Sequence, residues 1–175
     1  MQKNLARSFT ILAALALLSI SAFAQNHSRL RGSIDASGPW KVRGEWSLHI
    51  KGESGKADFS AAVNMQRSDY FLLSSNPPAA DTPVNLNPHT HHITVKEADV
   101  TVVANGIQVS GMATITSNGS IAPVSPSPVT IVITGGSAVE YSNINITFGG
   151  KAANHFGTDP LNGVVRSMSN EHHEH

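Results

Sequence analysis

In "WKVRGEWSLHIK", Trp40, Val42, Gly44, Trp46, Leu48 and Ile50 alternate with Lys41, Arg43, Glu45, Ser47, His49 and Lys51. Alternation sustained this long predicts a strand with one face buried and the other in water. A helix would spread those charges around its whole circumference. "GESG" then supplies turn residues, and "KADFSAAVNMQR" resumes the pattern with Ala57, Phe59, Ala61, Val63 and Met65 on one side. Two alternating runs around a short Gly-containing turn predict a β-hairpin.

The second half repeats the arrangement with more Thr. Asn105-Gly106 stands between two β-rich runs, and both residues tolerate the positive φ of a tight hairpin turn. Beyond it, Ile107, Val109, Gly111, Ala113 and Ile115 keep the period of two. "PVTIVITGGSAVEYSNINITF" predicts a further hairpin turning at Gly135-Gly136. The apolar phase slips between Val95 and Ala98, and again near Ser142-Asn143, as a β-bulge would require. The pattern predicts one all-β domain over residues 25–170, of about 8–10 antiparallel strands and without a helix. It fits a β-sandwich and a closed β-barrel equally.

Two Pro-rich segments, Ser74–Thr90 and Ser117–Val129, interrupt the strands and are read as long loops. Residues 171–175, "EHHEH", form a polar His-rich tail. At the other end, Lys3 and Arg7 precede the apolar run "FTILAALALLSISAFA", which ends in Ala22-Phe23-Ala24. This is the layout of a helical secretory signal peptide, residues 1–24, with cleavage between Ala24 and Gln25. The run is too short for a membrane span. The expected destination is secreted or periplasmic, with no integral span in the mature chain.

Composition narrows the chemistry. The chain has no Cys, which excludes thiol nucleophiles, disulfides, Cys-ligated zinc and iron–sulfur clusters. Without Lys3 and Arg7 the 12 basic residues become 10 against 12 acids, a net of −2. No basic stripe emerges, so a nucleic-acid partner is not expected. Aromatic residues make up 6% of the chain, too few for the girdles of an outer-membrane barrel.

The candidate chemistry lies in "NPHTHHITV", where His89, His91 and His92 begin a strand after the first Pro-rich segment. Residues two apart on a strand share a face, so His89 and His91 form a pair and His92 points away. Imidazole pairs of this kind suit Zn, Cu or Fe, but a third ligand is needed. Glu97 is six residues beyond His91, roughly 20 Å at strand rise, and shares the face only if the strand is unbroken. His155 in "NHFGTDP", on an expected loop, is the distant partner of interest. Trp40 and Trp46 are read as core residues.

No catalytic template is complete. The spacing of Ser, His and Asp favours no triad. The leading expectation is therefore an exported soluble β-domain that is not an enzyme, with a structural role or a small apolar or carbohydrate ligand. The alternative is a metal-binding β-protein or metalloenzyme using His89, His91 and His155.

Overall fold

The computed structural model describes residues 27–37, 40–67, 88–135 and 143–170. In chain order the elements are β1 (His27–Ser37), β2 (Trp40–Lys51), β3 (Lys56–Arg67), β4 (His89–Val103), β5 (Gly106–Ser117), β6 (Ser120–Ile121), β7 (Ser127–Thr134), β8 (Asn143–Phe148), helix α1 (Gly150–Phe156) and β9 (Leu161–Asn170). Every pairing is antiparallel. Each long strand lies beside its successor, β5 reaches β7 past the two-residue β6, and β9 returns to β1. The β4–β5 pairing closes the ring. The domain is a closed up-and-down barrel of eight strands, with β6 an outer appendage of β5.

Alternation becomes an inside and an outside. Leu30, Ile34, Val42, Leu48, Phe59, Val63, Ile93, Val95, Ile115, Ile131 and Ile146 are buried in one core. Arg29, Arg31, Lys41, Arg43, Glu45 and Lys96 stand exposed on the other face. Barrels of eight strands have interiors that side chains can fill. An apolar inside and a charged outside is the reverse of the polarity of a lipid-embedded barrel, whose apolar band faces out. No helix among the described residues is long and apolar enough to cross a membrane.

Trp46 is buried and stacks near Phe59 with ring centroids 6.4 Å apart. A Cβ at Gly32 would come within 2.8 Å of its indole ring, so the bare backbone there makes room for it.

The Asn105-Gly106 hairpin forms, but its turn is displaced by one residue. Val103 and Gly106 are register partners, so Ala104-Asn105 make the turn, with Asn105 at φ 60°. Gly106 serves another purpose. A Cβ there would meet the Ile133 carbonyl oxygen at 1.9 Å, so glycine is what lets β7 approach. The slip expected between Val95 and Ala98 is a bulge, with Glu97 at φ 52° and register shifts towards both neighbouring strands. The slip expected near Ser142-Asn143 reaches residues outside those described.

The bulge is tied down from β3. Asp58 accepts the Glu97 backbone N–H at 3.1 Å and lies 3.0 Å from Lys96 Nζ and 3.2 Å from Lys51 Nζ. Lys51 also pairs with Glu97. Burial opposes ionisation of Asp58, but the Glu97 N–H and the two ammonium groups outweigh it and hold the carboxyl at about 2, below the usual 3.8. The folded state thus releases this proton more readily than the unfolded chain. The resulting stability is present above pH 3.8 and lost as pH falls through about 2. Asp58→Asn is expected to cost about 1–2 kcal/mol at pH 7. In urea melts, the gap from the parent protein should narrow as pH is lowered from 3.8 and close only as Asp58 protonates, through about 2 and below.

Two expectations need correction. A helix is present: α1 has only seven residues, too few for a helical period to stand out. The segment Ser117–Val129 is not simply a loop. It contains β6, and the Ala122 and Ser125 backbones are hydrogen-bonded back at 2.9 Å to Ile115 and Ala122 respectively.

Candidate metal centre

His89 and His91 are alternate residues at the start of β4 and share the inward face, at the barrel mouth where β3 ends and β4 begins. His91 is 2% exposed and is followed inward by buried Ile93 and Val95. His92 is exposed on the outer face, as the period of two requires.

His155 arrives on α1. The chain turns after β8 through Gly149, whose N–H donates to the Pro128 carbonyl at 2.8 Å, and Gly150 at φ 58°. Ala152 N–H donates to buried Ser127 Oγ at 3.2 Å. Phe156 is buried and stacks on Phe148, with centroids 4.4 Å apart and planes at 20°. Gly157 closes the helix, donating to the Ala153 carbonyl. These anchors bring His155 Nε2 to 2.8 Å from His91 Nε2 and 3.3 Å from His89 Nε2.

All three candidate ligand atoms lie within 4.8 Å of one another. Two nitrogens bound to one ion at about 2.0–2.1 Å stand about 3.3 Å apart at a tetrahedral angle and about 2.8 Å apart at a right angle. The two separations from His155 therefore match ligands of a single ion, while the widest pair, at up to 4.8 Å, has to draw in to the roughly 4.2 Å that two such bonds can span.

The tautomer of His91 follows from its other nitrogen. Nδ1 lies 3.2 Å from the Thr116 carbonyl oxygen, which can only accept. Nδ1 therefore carries the hydrogen, and the neutral ring turns the Nε2 lone pair toward the other two rings. Metal-ligating imidazoles are typically held this way, by a hydrogen bond from the nitrogen that does not bind the ion. Burial, then the proximity of His155, pushes His91 down to about 4 from the usual 6.5. Burial and then His89 lower His155. His91 is accordingly neutral at pH 7 and would need to lose no proton to bind an ion.

Aromatic rings pack around the triad. Trp40 meets His89 edge-on at 5.7 Å and lies 6.3 Å from His155. Phe156 meets His91 at 5.2 Å. All three histidines also line a cleft of ≈ 440 Å³, together with Pro88, Ser117, Asn118, Ala122, Pro123 and Val124.

No family model, curated protein or solved structure matches this chain. The case for the site therefore rests on its own geometry.

The structure brings His89, His91 and His155 together and leaves Glu97 out, exposed at the bulge and paired with Lys51. His155 stands on a helix and not on the expected loop. Trp46 is a core residue, whereas Trp40 is half-buried and borders the triad. Thr116, Phe156 and the Ala122–Val124 wall carry no sequence signal of a site, because a carbonyl acceptor or an apolar wall is defined only by the fold.

The metal-free protein should be acid-sensitive. Above pH 6.5, His91 is neutral in folded and unfolded chains alike. Between 6.5 and about 4 the unfolded chain takes up a proton that the folded chain refuses, and stability falls with pH. The slope is at most about 1.4 kcal/mol per pH unit for this one group. Thermal melts of the chelator-treated protein across this range should show the slope, and His91→Gln should reduce it, leaving the share that lowered His155 contributes.

Proposed function

We propose that the protein is an exported metal-binding β-barrel protein whose His89, His91 and His155 hold one divalent zinc or copper ion at the barrel mouth. The observation that carries this reading is the convergence of three Nε2 atoms with the His91 Nδ1–H turned away to Thr116. An all-imidazole set suits zinc and copper, whereas the common non-haem iron triad includes a carboxylate, and this cluster has none. Three protein ligands leave a coordination position open, as in centres that bind an outside molecule and unlike the closed four-ligand structural sites. Export rests on the leader-like residues 1–24.

The test is metal analysis of a mature chain made without an affinity tag and ending at residue 170, so that the His-rich tail contributes nothing. One equivalent of zinc or copper per chain is expected, and the triple variant His89→Ala/His91→Ala/His155→Ala should retain none. Equal uptake by parent and triple variant, or none by either, would sink the proposal.

A further inference from the structure

We infer that the open coordination position takes a small organic carboxylate, bound through its oxygen to the ion, with its short apolar chain against Ala122, Pro123 and Val124. This rests on the metal reading above and concerns what the centre then does.

Three neutral imidazoles leave a divalent ion with its full positive charge, since no carboxylate belongs to the cluster. The cleft that opens beside it is lined by all three histidines, so a molecule in the cleft reaches the point where their nitrogens converge. Its other described walls are Pro88, Ser117, Asn118, Ala122, Pro123 and Val124, none of them charged. A cation on this floor, with neutral walls around it, attracts an anion and repels another cation.

The walls then choose among anions. One segment of the lining, Ala122 to Val124, is apolar, while Ser117 and Asn118 offer hydroxyl and amide groups. A carboxylate uses both kinds of surface: one oxygen on the ion, the other within reach of a hydrogen-bond donor, and its carbon chain on the apolar wall. A fully hydrated inorganic anion gains nothing from that wall. The size is suitable as well, since ≈ 440 Å³ lies in the range of small-molecule pockets. The wall has a defined shape: the Ala122 N–H donates to Ile115 O at 2.9 Å, the Ser125 N–H donates to Ala122 O at 2.9 Å, and Ser125 Oγ accepts the Ile115 N–H at 3.0 Å.

The experiment uses the protein loaded with Co²⁺, whose visible absorption reports its ligands. Acetate and butyrate are titrated in turn, with glucose and choline as neutral and cationic controls. Both carboxylates should change the spectrum saturably, butyrate binding up to about 15-fold more tightly because two more methylenes are buried. Val124→Thr, nearly isosteric but polar, should reduce butyrate's advantage over acetate. If Co²⁺ is not bound stoichiometrically, the metal reading itself fails. If Co²⁺ is bound by the triad but neither carboxylate alters the spectrum, this inference alone is overturned. Equal affinity for acetate and butyrate overturns the role of the Ala122–Val124 wall.

Discussion

Replacing His155 with alanine is expected to weaken zinc affinity at least about 100-fold, a larger loss than the 10–100-fold typical of supporting residues around a metal. His155 supplies the Nε2 that stands between those of His91 and His89, at 2.8 Å and 3.3 Å. Its removal leaves a two-nitrogen site on one strand, and two ligands rarely hold an ion against water. His92→Ala is the matched control. His92 is exposed on the outer face of the same strand, so its loss should leave affinity unchanged. Competition with a chromophoric chelator would measure both. A His92→Ala effect as large as that of His155→Ala would mean that the strand as a whole, and not the convergent set, controls uptake.

Stripping the ion should also lower thermal stability markedly. A ligand present at 1,000 times its dissociation constant stabilises the folded state by about 4.1 kcal/mol. For a domain of this size each kcal/mol moves the midpoint by about 2–4 °C, so chelation should lower Tm by roughly 8–16 °C. The triple histidine variant should show no response to zinc or to chelator. A parent protein whose midpoint also ignores chelator would contradict tight binding by the folded state.

Much of the barrel could be read from its alternation. In β2 and β3 the residues assigned to the buried face are buried, apart from half-buried Trp40 and Gly44. The slip before Ala98 exists as a bulge. Barrel and sandwich were indistinguishable because both bury alternate residues. The distinction lies in the β4–β5 and β9–β1 pairings, which a one-dimensional pattern does not record. The shift of the Asn105-Gly106 turn has the same origin. Gly106 is required by a carbonyl of β7, many residues away in the chain.

The site was half legible. His89 and His91 declare themselves by spacing, because strand geometry places them on one face. His155 was suspected only as a distant histidine. The link depends on α1 docking through Phe156 on Phe148 and Ala152 on Ser127, contacts between residues with no shared local pattern. The Thr116 carbonyl is less legible still, since a backbone acceptor is the same in every residue type.

His91 and His155 meet across 64 residues of chain, joining a strand to a helix from the far side of the sequence. An ion shared between them closes a long loop, as a disulfide would, and limits the freedom of the unfolded chain in proportion only if binding survives unfolding; otherwise it acts on the folded state alone. In a chain with no cysteine, such a staple would be made of imidazole and metal. Thiol–disulfide poise cannot open it, whereas acid and chelators can. The strength of this fold should therefore follow metal supply and pH, with no disulfide for a reductant to open.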